Sequence, residues 1–255
     1  MDNREYHSDP AIGKSMLDSI ARSPLHYWAR HVDPNRVEPT PTPAMVLGTA
    51  FHALLLERDL FETSYIAAPS VDRRTKAGKA TWAELEASGK TVLSEDDLAA
   101  LTGMAASVLQ HPAASRLLAL PGRAEVSLFY EDDATGLRCK ARPDWLTDGG
   151  IIVDIKTTQD ASPEAFRKSA YNFRYDVQAA HYTAAVPDSA FVFIAVEKTP
   201  PYAVAVYEAD ISVMQSGHAR RRDNLNCLAD CLERDEWPGY DSKIQPLGVP
   251  SWAVQ

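Results

Sequence analysis

The chain has 255 residues, with 26 lysines and arginines against 35 aspartates and glutamates, a formal net charge of −9 and an apolar fraction of 45%. That length suits one large domain or one domain with a helical elaboration, the composition is ordinary for a soluble globular protein, and no run of about 18 apolar residues is present to cross a membrane. The acidic total weighs against a surface built throughout to neutralise phosphates, so a polyanion site would need local basic clusters, for which Arg73, Arg74, Lys76 and Lys79 or Arg220, Arg221 and Arg222 are the candidates.

In chain order, residues 1–12 read as a loose lead-in with neither the basic start nor the apolar stretch of a secretory signal. The sparse cysteines Cys139, Cys227 and Cys231 form no C-x-x-C pair, which points to a reducing, cytoplasmic setting. Between Gly13 and His31, Met16, Leu17, Ile20 and Ala21 have helical spacing. Pro24 breaks that run near Arg22 and restarts it after Ser23, with proline in the first turn. Asp33–Pro43 is a proline-rich loop, Ala44–Leu60 an apolar helix carrying His52, and Phe61–Ala68 a short extended piece. Val71–Lys79 reads as a basic surface loop. Helices are predicted at Lys79–Ser88 and Ser94–His111, with Ser94 as the second cap and Asp96 and Asp97 in its first turn. A shorter helix around Ala113–Leu120 closes a mostly helical part, 1–120.

Residues 121–210 change character. Glu125–Tyr130 and Leu137–Trp145 read as strands separated by the turn DDATG, and Ile151–Thr157 as a buried central strand. A helix starts at Ser162–Pro163, and a second, capped by Asp176, carries Gln178 and Tyr182. Ala190–Glu197 and Tyr202–Glu208 form a strand pair turned by Thr199, Pro200 and Pro201. A long helix, Ile211–Arg234, and an irregular tail from Trp237 complete a single domain, 1–255. The whole reads as α/β.

The stretch RPDWLTDGGIIVDIKTT, Arg142–Thr158, organises this pattern. Asp148, Gly149 and Gly150 supply turn chemistry, and reflection about Gly149 places Asp144 across from Asp154. Like charges so placed repel, and Lys156 projects from the same face as Asp154. Burying such charges is costly without compensation, and a divalent cation held between the acids supplies it. Taken singly, the other candidates have plain readings. His52 suits a satisfied core histidine, Glu125 a solvated strand start, Gln178 and Tyr182 a polar helix face, and Asp154 with Lys156 an ion pair on an edge strand, where Pro143 is tolerated.

Taken together, PD, ten residues from aspartate to aspartate, and DIK resemble the PD-(D/E)xK nuclease superfamily. GTAFH (Gly48–His52) and QAAHY (Gln178–Tyr182) resemble the helix motifs of its RecB-like branch. The opening SMLDSIARSPLHYW looks like the serine-rich start of RecE-type exonucleases, the exodeoxyribonuclease VIII nuclease domain of prophage recombination systems. The resemblance implies a restriction-endonuclease-like mixed central sheet flanked by helices. It implies His52, Asp144, Asp154 and the Ile155 carbonyl as ligands of Mg²⁺, with Mn²⁺ as substitute. Lys156 would orient water or stabilise developing charge, Glu125 hold a second metal or water, and Gln178 and Tyr182 hold the active-site strand or the substrate backbone. Ser15 and Arg22, with Arg73, Arg74 and Lys76, are the candidate DNA contacts. The implied activity is a processive 5′→3′ exonuclease on double-stranded DNA ends, leaving 3′ tails. The implied assembly is a homo-oligomeric ring, a tetramer, with helices 94–111 and 211–234 in contact, working beside a single-strand annealing protein. Three cysteines cannot supply the four ligands of an iron–sulfur cluster, so none is expected. The alternatives are a structure-selective endonuclease on the same fold and a non-catalytic DNA-binding assembly protein.

Overall fold

The computed structural model describes residues 1, 3–37, 39–72 and 74–249, apart from the Arg4 side chain. The first part is helical: α1 (Asn3–Ser8), α2 (Lys14–Arg22), α3 (Pro24–Tyr27) continued by a π-helical turn over Trp28–Val32, α4 (Pro43–Leu56) and α5 (Arg58–Ser64). It continues with β1 (Tyr65–Ala67), α6 (Lys76–Ala87), β2 (Thr91–Leu93), α7 (Glu95–Gln110) and α8 (Pro112–Leu118). The second part contains β3 (Gly122–Ala124), β4 (Leu128–Glu131), β5 (Arg138–Ala141), β6 (Trp145–Thr147), β7 (Ile151–Thr158), α9 (Pro163–Asn172), α10 (Tyr175–Ala185), β8 (Ala190–Glu197), β9 (Val204–Glu208) and α11 (Ile211–Arg234).

Local chemistry explains most of these boundaries. Ser23 caps α3 by accepting the His26 amide, and Thr42 caps α4 by accepting the Met45 amide, each with proline in the first turn. Ser94 and Asp97 form a reciprocal capping box on α7. The predicted helix over Ala44–Leu60 is two helices, because Glu57 leaves helical geometry at φ −136° and ψ 65°. The predicted basic loop ends early, since Thr75 caps α6 by accepting the Gly78 amide.

The central sheet has the order β3-β6-β7-β8-β9, with β7 and β8 parallel and the other neighbours antiparallel. A parallel pair needs a long crossover, which α9 and α10 supply. Helices α4 and α7 cover one face, where Phe51, Leu101 and Met104 pack with Val153, Ile155 and Ile194. On the other face, Phe166 and Ala179 pack with Ile152, Phe191 and Phe193. A third cluster joins Leu17, Ile20 and Tyr27 to Val177, Leu225 and Leu228. Helices α10 and α11 touch so closely at Gly217 that a Cβ there would collide with the Asp176 carbonyl.

Three further expectations need correction. The stretch 125–130 becomes strand only from Leu128, in β4, and 137–145 divides into β5 and the start of β6; β4 and β5 form a separate hairpin, while β6 joins β3, just before the first stretch, in the central sheet. Residues 1–12 are not loose: Tyr6 is buried, the buried Lys140 ammonium donates to the carbonyls of Tyr6 and Asp9 at 2.6 and 2.8 Å, and Ile12 bridges to Cys139. Asp176 does not cap α10, whose cap residue is Arg174; its carboxylate instead accepts from Ser216 and Arg220 on α11.

Candidate active site

The β6–β7 hairpin turns where its glycines predict, with Gly150 at φ 80° and its amide donating to Thr147 O. The pairs Trp145↔Val153 and Leu146↔Ile152 continue the ladder so that Asp144 faces Asp154. Strand β7 is third of five, and Asp154 is only 2% exposed, which removes the edge-strand reading of its ion pair.

Three separated segments converge on Asp144. Its Oδ2 accepts the Ile155 amide at 2.5 Å, and its Oδ1 lies 3.3 Å from His52 Nδ1 on α4. The other nitrogen of His52 is 3.1 Å from the Ile155 carbonyl. Glu125 lies between β3 and β4 in the left-handed region, φ 47°, tied beside Asp144 by its amide, which donates to Asp144 O at 3.1 Å. Its Oε1 is 3.8 Å from His52 Nδ1 and its Oε2 accepts from Arg142 Nε at 3.0 Å. One ligand atom each from His52, Glu125 and Asp144 lies within 4.8 Å of the others. An imidazole and two carboxylates, with a main-chain carbonyl beside them, fit a hard or borderline divalent cation.

Asp154 stands next to this group and has its own partners. Its Oδ1 accepts from Gln178 Nε2 at 2.5 Å, and its Oδ2 is 2.5 Å from Lys156 Nζ. The structure therefore groups Glu125, rather than Asp154, with His52 and Asp144. The ammonium two residues along β7 draws Asp154 the other way. Gln178 reaches from α10 to hold the strand acid, and Tyr182, one turn further, sits in the field of both aspartates.

Electrostatics separate the two aspartates. Burial works to raise the Asp144 carboxyl, but the charge and hydrogen bond of His52 hold it below the ordinary carboxylate value. Burial pushes Asp154 up to about 6, with the Asp144 charge adding and Lys156 opposing. For His52 and Lys156 burial disfavours the charge, yet the adjacent carboxylates hold both groups above their usual values. Such opposed shifts in adjoining acids mark sites of proton or metal chemistry.

The family model for a PDDEXK-like domain of unknown function (DUF3799) matches residues 13–247. The chain belongs to this PDDEXK-like family. No curated protein matches its sequence. Among solved structures, a protein from Eubacterium rectale assigned as an exonuclease is similar at 13% identity, covering 100% of this chain and 98% of that one, with a TM-score of 0.65. This likeness concerns the fold. A phage-related exonuclease from Haemophilus somnus 129PT (11% identity, 66% and 91% covered, TM-score 0.37) and an alkaline exonuclease from Laribacter hongkongensis (15%, 64% and 86%, 0.30) are more distant in structure.

In this PDDEXK-like chain a cleft of about 910 Å³ opens beside the acids, lined by Lys156, Gln178, Tyr182 and Tyr175 and by Lys14, Ser15, Arg30, Arg36 and Lys140. Of the predicted DNA contacts, Ser15 lines the cleft. Arg22 does not; its Nε lies 3.4 Å from the Tyr240 hydroxyl. Arg74 pairs with Asp72 on the surface and Lys76 opens α6, neither of them at the cleft, and Arg73 lies outside the described residues. The cluster Arg220–Arg222 is not a basic patch, because Arg220 is engaged by Asp176 and Arg221 and Arg222 by Asp132. Sequence reasoning missed Lys14, Arg30, Arg36 and Lys140 as cleft cations. Only Lys14, next to Ser15 in the serine-rich segment, carried a local hint.

Proposed function

We propose that this protein is a metal-dependent deoxyribonuclease, an exonuclease acting on the ends of linear double-stranded DNA. The observation that carries the reading is the convergence of His52, Glu125 and Asp144, from three chain segments, beside the Asp154–Lys156 pair and at the edge of a cation-lined cleft. His52, Asp144, the Ile155 carbonyl and Glu125 would hold Mg²⁺ or Mn²⁺, with Asp154 joining when its oxygen turns from Lys156. When bound, the metal polarises the scissile phosphate and lowers the pKa of a water.

This chain's own residues do the rest. Lys156, its charge held by two carboxylates, orients the attacking water and stabilises charge developing on the phosphate oxygens. Gln178 fixes Asp154, and Tyr182 lines the same wall. Arg30, exposed in the cleft, supplies attraction for the phosphate backbone that the acidic total denies elsewhere, while Lys14 and Lys140, held by Asp18 and by the Tyr6 and Asp9 carbonyls, shape the wall. The resemblance of the motifs to RecE-type nucleases supports 5′→3′ processive action leaving 3′ tails, a ring of subunits and a partner annealing protein.

The test uses linear duplex labelled at either end, covalently closed circles, Mg²⁺, Mn²⁺ and EDTA, with wild type and Lys156→Ala. Metal-dependent loss of label from the 5′ end, sparing circles and abolished in the variant, is expected. Cutting of circles would instead make the protein an endonuclease on this fold. An absence of hydrolysis with either metal would sink the enzymatic reading.

A further inference from the structure

Phe173, directly after α9, leaves 60% of its surface in water, although its surroundings are not loose. Lys14 Nζ donates to the Phe173 carbonyl at 2.7 Å while pairing with Asp18 at 2.7 Å. The next residue, Arg174, occupies the left-handed region at φ 56°, and its Nε lies 3.2 Å from Asp18. A non-glycine residue in that region is strained and persists only where its surroundings hold it. The chain thus fixes a main-chain bend whose visible product is an apolar ring facing solvent.

That ring continues a row leading out of the candidate active site. Phe173 stacks on Tyr175, with centroids 5.8 Å apart and planes 25° from parallel. Tyr175 lines the cleft, and Lys156 Nζ lies 4.7 Å from its ring centroid. Phe193 supports Tyr175 from within the sheet by a second stacked contact at 5.8 Å. The buried base of the row is therefore fixed, and its outer end is open.

We infer that Phe173, backed by Tyr175, is a stacking platform for an unpaired nucleobase of the DNA strand whose phosphate is held at Lys156. The inference rests on the nuclease reading above and adds how the strand is gripped. The occupant follows from the chemistry on either side: flat apolar faces outward along the row, and Lys156, with the exposed Arg30 also in the cleft, for the phosphates of the same strand. Single-stranded nucleic acid is held in this manner, by cations that track the backbone and aromatic faces that take the bases. Phe173 touches the base and takes no part in bond cleavage.

The test is fluorescence anisotropy in EDTA, with the full chain and a labelled duplex ending in a short single-stranded overhang, intact or made abasic. Phe173→Ala is expected to weaken binding to the intact overhang by roughly 5- to 150-fold, the range that stacking of one base gives. It should have little effect on the abasic overhang, and Phe173→Trp should bind as wild type. Cleavage by the wild type with unchanged binding in Phe173→Ala would overturn the platform and leave the nuclease standing. Equal loss on both overhangs would also overturn it, as would a loss of subunit association measured by light scattering with DNA binding unchanged. A wild type that neither binds nor hydrolyses DNA would instead bring down the reading on which the platform rests.

Discussion

Replacing Asp132 with alanine should cost this protein more stability than any change to a surface acid. The Asp132 carboxylate accepts from Arg221 Nη2 at 3.0 Å, from Arg222 Nη1 and Nη2 at 2.6 and 2.9 Å, and from Thr135 Oγ1 at 2.8 Å. Asp132 and Arg221 are both buried, and Arg221 also reaches Tyr130 and the fully buried His181. Asp132→Ala would strand a buried guanidinium against a histidine whose Nε2 already lies against the Ile12 and Lys140 carbonyls. Removing one partner of a buried ion pair costs about 3–5 kcal/mol, roughly 6–20 °C in Tm for a chain of this size. Urea unfolding followed by circular dichroism measures it.

The pH dependence gives a second readout. Burial pushes the Asp132 carboxyl up, but the Arg222 and Thr135 hydrogen bonds and both guanidinium charges reverse this and leave it well below the ordinary range. A depressed carboxyl stabilises the fold fully above its unfolded pKa of about 4, and that contribution disappears as pH falls further. The wild type should therefore lose stability more steeply than Asp132→Ala below about pH 4. A loss under about 1 kcal/mol at neutral pH, or parallel acid limbs, would refute the clasp as a stabilising element.

Three further outcomes follow from the geometry. Glu125→Gln should weaken Mn²⁺ binding, read by calorimetry, at least several-fold while leaving Tm without metal within a few degrees; unchanged affinity would remove Glu125 from the ligand set. Gly48 lies one turn before His52, and a Cβ there meets nothing within 4 Å. Gly48→Ala should then be neutral or up to about 1 kcal/mol stabilising through helix propensity, and a drop in Tm would show a hidden packing role. Gly217→Ala should destabilise by about 1–3 kcal/mol or more, because the added methyl meets the Asp176 main chain rather than a movable side chain; a wild-type unfolding midpoint would contradict that approach.

The hairpin was readable in advance because its cues are local: two glycines at the turn, an apolar run after it and a symmetric spacing of acids. The helix restart at Ser23–Pro24 and the cap at Ser94 were readable for the same reason. What escaped depends on partners far away in sequence. The N-terminal segment looks structureless until Lys140, more than 130 residues later, donates into its carbonyls. Arg220, Arg221 and Arg222 look like a phosphate patch until Asp132 and Asp176 are seen to engage them. Glu125 reads as the start of a strand, and nothing in its neighbours announces the left-handed backbone that turns it toward His52. The α/β character was legible from periodicity and the layering of helices on a mixed sheet from the motif resemblance, whereas the grouping of Glu125 with His52 and Asp144 needed the folded chain.

The parallel pairing of β7 with β8 has a consequence for synthesis on the ribosome. Until residues 190–197 have emerged, the strand bearing Asp154 and Lys156 lacks its partner along all eight paired positions. A nascent chain of about that length exposes Ile151, Ile152, Val153 and Ile155 at an unpaired edge, the kind of surface that aggregates or recruits chaperones. The same delay keeps Gln178 and the cleft wall from closing on the acids. Chains interrupted before β8 are thus expected to emerge sticky and without hydrolytic activity.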